Sequence, residues 1–219
     1  MLSLKSYKTL VFDCDGVVLD SNQLKTRAYF NTAKSYGASD AQAQALVDHH
    51  VQYGGISRYP KYAFFLREIL HQPVTDAAMI TLLDRFASEI HQGLLSCEMA
   101  PGLVELHKAT PDACWMLVSG GDQSELRKLF AERQIDYMFN SGIFGSPDNK
   151  DEILAREKTT GNLAMPALFF GDSKYDHQSS TRAGLDFIFV SNWTDMVGWQ
   201  DYCAQNKILL INQLGECQH

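Results

Sequence analysis

The sequence predicts an α/β protein with a parallel sheet, helices on both faces of that sheet, and a small all-helical segment inserted after the first strand. Short apolar runs alternate with helical patterns along most of the chain, the order expected of such a sheet. Several runs are apolar almost throughout, as in strands covered on both faces. Between Ser21 and Cys97 helical signals follow one another without a convincing strand, so we place the inserted segment there.

Five strands are predicted for the core. They are TLVFD from Thr9 to Asp13, CWMLVSG from Cys114 to Gly120, a weaker run near SGIFG from Ser141 to Gly145, ALFFGD from Ala167 to Asp172, and DFIFVSN from Asp186 to Asn192. The segment after Asn192, with Trp193, Trp199 and Tyr202, is expected to form a terminal helix on the core and to hold no site.

The helical insert is predicted from two apolar stripes at helical spacing. The first is Tyr62, Phe65, Leu66, Ile69 and Leu70, and the second is Met79, Leu83, Phe86, Ile90 and Leu94. We interpret both as helix-packing cores rather than as a cofactor site. Asp40 and Asp76 are predicted N-caps, Gly37 and the Gly54-Gly55 pair are predicted stops, and Pro101-Gly102 marks the return to the core. The expected division is a helical cap at 21–97 and an α/β core at 1–20 and 98–219.

Composition excludes several classes of protein. The 219 residues are 45% hydrophobic and 21% charged, which is typical of a globular chain. A net charge of -7 argues against nucleic-acid or membrane-surface binding, and no run is long and apolar enough to span a membrane. Five scattered cysteines without metal-ligand spacing indicate reduced thiols and a cytoplasmic location. The oligomeric state is left open.

Two aspartates end the first predicted strand. Asp13 and Asp15 point the same way because side chains alternate along a strand. At the carboxyl end of a parallel strand they would lie where open α/β sheets bind ligands. Two carboxylates this close need a cation or a shared proton, and Mg²⁺ fits that need. A simple Asp-Gly turn is the alternative.

A second acidic pair follows the predicted strand ALFFGD. Asp172 and Asp176 are four residues apart and would share one face of a helix that begins there. Asp172 could then supply a further oxygen ligand to the same ion. The alternative is that one of them caps the helix.

Two further positions, Ser119 and Lys150, indicate a site only when they are considered together with the two acidic pairs. Ser119 and the amides that follow it, including that of Gly120, could bind phosphate oxygens. Asp122 and Glu125 have the spacing of a capping box, a structural role. Lys150 follows the weak strand, and a lone lysine there is usually a surface residue.

In this order, DCDGVVLDS, VSGG, the Lys150 of GSPDNK and GDSKYD resemble the four motifs of the haloacid dehalogenase-like hydrolases. The match covers Leu10 to Asp176. The resemblance implies a Rossmann-like core and, from the length of the insert, a helical cap of the type found in phosphoglycolate phosphatases and β-phosphoglucomutases.

The resemblance also implies a role for each matching residue. Asp13 would be the nucleophile that forms an aspartyl phosphate, and Asp15 the acid that protonates the leaving oxygen and later activates water. Ser119 would hold phosphoryl oxygens, and Lys150 would balance their charge. Mg²⁺ would be bound by Asp13, the Asp15 carbonyl and Asp172, with Asp176 in support.

The function predicted is a Mg²⁺-dependent phosphatase acting on a small phosphomonoester, with a sugar phosphate as the guess for its substrate. An acid at Asp15 favours phosphoryl transfer over dehalogenation, because an alkoxide needs a proton and a halide does not. In the predicted cap, Arg58 and Lys61 could bind a second anionic group of the substrate. A phosphomutase with the same motifs and a catalytically silent binding protein are the alternatives.

Overall fold

Six parallel strands form one sheet in this computed structural model, which describes residues 4–218. Their order is β3-β2-β1-β4-β5-β6. The strands are β1 Thr9–Phe12, β2 Cys114–Asp122, β3 Ile143–Ser146, β4 Ala167–Gly171, β5 Asp186–Val190 and β6 Leu209–Ile211. The chain order reverses at β1, so a crevice opens at the carboxyl ends of the central strands, as in other open α/β sheets.

The helices lie in three groups along the chain. The segment between β1 and β2 contains α1 Asn22–Tyr36, α2 Asp40–Gln52, α3 Arg58–Phe64, a π-helix Phe65–Ile69, α4 Asp76–Ser96 and α5 Leu103–Ala109. The later connections contain α6 Gln123–Glu132, α7 Lys150–Thr160, α8 Lys174–Ala183 and α9 Trp199–Asn206. Short 3-10 helices lie at Leu4–Ser6, Asp136–Met138 and Leu214–Gln218.

Both faces of the sheet are covered, which explains why its strands are apolar on both sides. In β1, Leu10 and Phe12 belong to one buried cluster, which also contains residues of α5 and α6. Val11 belongs to a second cluster on the other face, together with Ile153 and Leu154 of α7. The α/β class and parallel sheet expected from the sequence are therefore confirmed.

The carboxyl-terminal segment corrects one expectation. After Asn192 the chain forms α9 as expected, but it then adds β6 to the edge of the sheet and ends in a short 3-10 helix. β6 has only three residues, and Leu209 and Leu210 are exposed. Such a short, half-exposed edge strand has no burial pattern that distinguishes it from a loop.

The helical insert, residues 22–96, packs around a hydrophobic cluster of its own. Tyr62, Phe65 and Leu66 from the first predicted stripe, and Phe86 and Ile90 from the second, are buried in this cluster. The stripes are therefore helix-packing residues, as predicted. The first one crosses from α3 into the π-helix.

The predicted helix starts in the insert were one residue late. Ser39, not Asp40, caps α2, and it forms a capping box with Gln42. Thr75, not Asp76, caps α4. In both cases the hydroxyl accepts a hydrogen bond from the third helical amide, and the aspartate occupies the first turn, where its charge favours the helix dipole. Gly37 ends α1 with φ = 110°, as expected. Within residues 4–218, no helix is both long and apolar enough to cross a membrane.

The outermost residues of the expected core, 1–3 and 219, lie outside the part of the chain that the structure describes.

Candidate active site

The strand register brings two acidic loops to the same edge of the sheet. Phe12 of β1 is level with Phe170 of β4, and the amide of Asp13 donates to the carbonyl of Phe170 at 2.9 Å. Asp13 and Asp172 therefore both follow the ends of adjacent strands. Their proximity is a consequence of parallel pairing and could be expected from the sequence once the strands were assigned.

Gly16 lets the chain turn away after Asp15. Its φ is +79°, and a Cβ atom at this position would overlap with the carboxylate of Asp172. Glycine adopts this φ without strain, and it has no Cβ atom that would overlap with Asp172. The tight turn thus keeps Asp15 near Asp13 and leaves room for the Asp172 side chain.

Three buried carboxylates meet at this edge. Oxygen atoms of Asp13, Asp172 and Asp176 lie within 4.8 Å of one another. Lys150 lies among them: its Nζ is 2.8 Å from Asp13 Oδ1 and also donates to Asp176. The side chain of Lys150 is only 1% exposed, so this lysine is no surface residue.

The charges of this cluster do not balance. Burial raises the pKa of Asp13 to about 7, with Asp176 and Asp15 adding to the rise and Lys150 opposing it. Burial, followed by the charges of Asp13 and Asp176, raises the pKa of Asp172 well above its ordinary value. Three carboxylates share a single ammonium, so a further cation would relieve the repulsion.

The donor set fits a hard divalent cation such as Mg²⁺. All of its ligand atoms are carboxylate oxygens, which Mg²⁺ prefers, and they are close enough to share one ion. Asp176 is the least free of the three. One of its oxygens accepts from Lys150, and the other accepts from the amide and hydroxyl of Ser173 at the start of α8. A supporting position suits Asp176 better than a direct one.

Asp15 is held by the first turn of α1. Lys25 Nζ lies 2.5 Å from its Oδ2, and the Ser21 hydroxyl donates to its Oδ1 at 2.5 Å. Burial alone would raise the pKa of Asp15, but the charge and hydrogen bond of Lys25, with help from Ser21, lower it. Asp15 is therefore a carboxylate paired with an ammonium.

The end of β2 lies beside these groups. Ser119 is fully buried, and its Oγ accepts from the amide of Gly121 at 3.0 Å. A Cβ atom on Gly120 would be 2.6 Å from the carbonyl oxygen of Gly55, so the loop after α2 rests directly on this turn. The strand extends to Asp122, two residues beyond its predicted end.

A cavity of about 420 Å³ separates the helical insert from the carboxyl edge of the sheet. Its lining includes Asp13, Asp15 and Asp172 on the core side, and Arg58 and Lys61 on the insert side. This volume is in the range of sites for small molecules. Gly120 also lines this space, whereas the predicted site residues Ser119, Lys150 and Asp176 are buried and do not line it.

The predicted capping box at the start of α6 was only half right. Asp122 does cap the helix, accepting from the amides of Ser124 and Glu125. The Glu125 side chain instead pairs with Arg58 Nη2 at 2.5 Å, and Tyr59 donates to Asp122 at 3.1 Å. Both acids therefore connect the core to the insert, a role that local spacing could not indicate.

Sequence reasoning also missed residues that hold the acidic cluster. Asn22 Nδ2 donates to Asp172 Oδ2 and to the carbonyl of Trp193, both at 2.8 Å. The Thr194 hydroxyl donates to the Asp172 carbonyl at 2.6 Å. The segment after Asn192, expected to hold no site, thus supports one. Asn22 and Lys25 could have been found from their position, because they lie in the first turn of α1, the helix that follows the DCDG loop.

The family follows from a comparison of the sequence with known families. Residues 10–190 match the model of the haloacid dehalogenase-like hydrolases. The chain belongs to this family. No curated protein sequence matches it.

Solved structures agree with the fold of a haloacid dehalogenase-like hydrolase. One is a predicted phosphoglycolate phosphatase from Haemophilus somnus 129pt, with 15% identity, a TM-score of 0.71 and coverage of 97% of both chains. Another, provisionally assigned as a β-phosphoglucomutase, is from Bacteroides vulgatus, with 18% identity, a TM-score of 0.74 and coverage of 98% of this chain and 87% of that one. A predicted phosphatase from Clostridium acetobutylicum has 14% identity, a TM-score of 0.74 and coverage of 97% and 96%. At these identities the likeness shows the fold alone.

Proposed function

We propose that the protein is a Mg²⁺-dependent phosphatase that hydrolyses a small phosphomonoester through an aspartyl phosphate on Asp13. The observation that supports this proposal most directly is the set of groups around Asp13. It ends the central strand, faces the cavity, pairs with Lys150 at 2.8 Å and shares a cluster with two further carboxylates. Stability alone does not explain this cluster, because apolar residues of similar volume in place of a buried ion pair are often equally or more stable.

In the first step, an Asp13 carboxylate oxygen attacks phosphorus and the bond between phosphorus and the ester oxygen breaks. The leaving oxygen takes a proton from Asp15, and the alcohol departs. Because Lys25 lies 2.5 Å from Asp15, we propose that this proton comes from the Lys25 ammonium through Asp15. The Lys25–Asp15 pair thus keeps Asp15 ionised before the reaction and still supplies one proton to the leaving oxygen.

In the second step, Asp15 accepts a proton from water, and the oxygen of that water attacks phosphorus. The bond between phosphorus and the Asp13 oxygen breaks, which releases inorganic phosphate and restores the carboxylate. Because the reaction is divided into two displacements, Asp13 and Asp15 can act in both of them. The proton returns through Asp15 to Lys25, so the site is regenerated.

Mg²⁺ would be held by Asp13, Asp172 and the Asp15 carbonyl with support from Asp176, and when bound it would stabilise negative charge on the phosphoryl oxygens. Lys150, Ser119 and the backbone amide of Gly120 would also contact those oxygens. Five of these residues are buried and bonded to their neighbours before substrate arrives, namely Asp13, Ser119, Lys150, Asp172 and Asp176.

The helical insert, with the flanking residues 21 and 97, would act as the cap over this site. It contacts the core through the Arg58–Glu125 pair and through the hydroxyls of Ser57 and Ser146, which are 2.6 Å apart. Closing the cavity excludes water while the substrate binds. If Arg58 contributes to substrate binding, an Arg58→Ala variant will lose activity toward the best substrate; unchanged activity would remove it from the binding set.

The test is inorganic phosphate release from a broad panel of phosphomonoesters, with Mg²⁺ or with EDTA. We expect metal-dependent release by the wild type, and a loss of at least about 10⁴-fold in Asp13→Asn, because the nucleophile is removed. Circular dichroism checks that this variant is folded. Retained phosphatase activity in Asp13→Asn would falsify the mechanism.

The same panel separates the alternatives. Conversion of a sugar phosphate into its isomer, without phosphate release, would indicate a phosphomutase. The absence of both reactions would favour a binding protein.

A further inference from the structure

On the insert side of the cavity, all of the charged lining residues are basic. Lys25, Arg58 and Lys61 line it, and no aspartate or glutamate of the insert does. The other lining residues of the insert are neutral at their ordinary charge, and they include the apolar or aromatic Tyr29 and Phe86. On the core side the charged lining residues are acidic except Lys174, so a ligand in this cavity meets mainly acids at one end and three basic residues at the other.

Two of these cations are already matched by carboxylates. Lys25 pairs with Asp15, and Arg58 pairs with Glu125, both at 2.5 Å. The Arg58 pair leaves its buried Nε without a hydrogen-bond partner among the described residues. Both pairs nevertheless compensate most of the charge that the two side chains bring into the cavity.

Lys61 differs, because no carboxylate in the described part of the chain pairs with it. Its Nζ lies 2.9 Å from Nδ1 of His50 and 5.7 Å from the centre of the Tyr29 ring. The residue is only 2% exposed. A neutral imidazole and a ring face offset part of the desolvation of an ammonium, but neither supplies a negative charge.

The charges facing Lys61 make this position unfavourable for a cation. Burial lowers the pKa of Lys61 to about 7, Lys25 and Lys150 lower it further, and Asp15 opposes them. The pKa of His50 is also well below its ordinary value, through burial and the charge of Lys61, so the imidazole is neutral and adds no charge. An unmatched buried amine that faces a ligand cavity is a site for an anion.

We propose that the substrate carries a second anionic group, separate from the phosphoryl group that reacts, and that Lys61 with His50 binds it. This inference rests on the proposed phosphatase function and narrows its substrate class to phosphomonoesters with a second oxyanion, a carboxylate or a second phosphate. Lys61, more than Arg58, would select against esters whose remaining part is neutral, since Arg58 already has a carboxylate partner.

The test measures ligand binding rather than turnover. Calorimetry on the Asp13→Asn protein with Mg²⁺ compares two matched pairs: 3-phosphoglycerate with glycerol 3-phosphate, and fructose 1,6-bisphosphate with fructose 6-phosphate. The first pair differs by a carboxylate, and the second by a phosphate. We expect at least a tenfold preference for the doubly anionic member of one pair, and the pair that shows it identifies the oxyanion.

Substitutions at Lys61 then assign the preference. In the Asp13→Asn background, Lys61→Met should reduce the preference to about twofold or less, and Lys61→Arg should retain part of it because it keeps the charge. Lys108→Met is the matched control, since Lys108 is exposed on α5 and lies outside the cavity lining. Thermal unfolding checks that each variant is folded.

Proton uptake gives a second readout that packing alone would not change. At pH 8 an amine with a pKa of about 7 is mostly neutral, and an anion beside it raises that pKa. Binding of the preferred ligand should therefore take up close to one proton, measured in buffers of different ionisation enthalpy, and Lys61→Met should abolish the uptake.

Three results would overturn the proposal: equal affinities within both pairs, a preference that survives Lys61→Met, or no binding by either doubly anionic ligand. Failure of the phosphatase proposal is distinguishable from these. Phosphate release by the wild type, with no preference in binding, rejects the second anionic group alone. A Lys61-dependent preference without phosphate release from any ester rejects the reaction and leaves the anion site.

Discussion

Lys150 on the core side of the cavity and Lys61 on the insert side are equally buried, yet their surroundings are opposite. Lys150 pairs with Asp13 and Asp176, and these carboxylates outweigh burial and raise its pKa. Lys61 has an imidazole and a tyrosine ring beside it, and burial lowers its pKa to about 7. The core site thus balances part of its charge within the protein, while the insert leaves one charge unbalanced.

The difference shows how two buried lysines can have opposite effects on stability. Removing a cation from between buried carboxylates leaves these carboxylates without a partner. Removing a cation that has no carboxylate removes a desolvation cost. Substitution of each lysine by methionine, which is similar in length and uncharged, therefore tests the comparison directly.

The largest effect is expected from Lys150→Met. Asp13 and Asp176 would lose their ammonium in a buried site, so the free energy of unfolding should fall by about 3–5 kcal/mol in the absence of metal. Phosphatase activity should fall at least about 100-fold, because charge on the phosphoryl group loses its partner. Urea unfolding and phosphate release measure the two effects. Unchanged stability would mean that Lys150 is not the group that balances these acids.

Lys61→Met should act in the opposite direction. A lysine with a pKa near 7 when folded and near 10.4 when unfolded binds more protons in the unfolded state between these values. It therefore destabilises the folded state by an amount that falls as the pH rises across that window. Relative to Lys61→Met, the wild type should therefore gain up to about 2–3 kcal/mol in its free energy of unfolding between pH 7 and pH 9.

Urea unfolding of both proteins at pH 7 and pH 9 measures this difference. At pH 7 the methionine variant should be the more stable of the two. Lys108→Met, a change on the surface, should differ from the wild type by the same amount at both pH values. A difference between wild type and Lys61→Met that does not depend on pH would contradict the unbalanced charge.

Mg²⁺ should stabilise the core side specifically. At 100 times its dissociation constant a ligand of the folded state adds about 2.7 kcal/mol, which corresponds to a rise of about 5–10 °C in Tm for a chain of this size. Thermal unfolding with Mg²⁺, and with NaCl at matched ionic strength, measures the shift. Asp172→Asn should lose most of it; an equal shift in that variant would place the ion elsewhere.

The smallest effect is expected from the pair that joins the two sides, Arg58 and Glu125. Glu125 is partly exposed, at 42%, so solvent screens the interaction and the coupling should be about 0.5–1 kcal/mol. A double-mutant cycle with Arg58→Met, Glu125→Gln and the double variant measures it by urea unfolding. Additivity of the two single changes would show that the contact contributes nothing measurable to stability.

Much of the core could be predicted because its signals are local. The strand ends at Asp13 and Asp172 follow from apolar runs, and parallel pairing then brings them to one edge. The short edge strand β6 could not be predicted in this way, because three half-exposed residues carry no periodicity. Glu125 was assigned to a capping box for a related reason: its spacing fits one, but a charged partner from the insert competes for its side chain.

The order of the motifs is therefore enough to predict the α/β class, the family and the acidic groups at the end of β1 and β4, since each depends on residues close together in the chain. The partners of the cations depend on packing between segments that are distant in sequence. Nothing near Lys150 or Lys61 in the chain indicates that one meets two carboxylates and the other meets none. Only the docking of the helical insert over the sheet sets that difference, because the free energy of a buried charge depends on the groups that surround it in space.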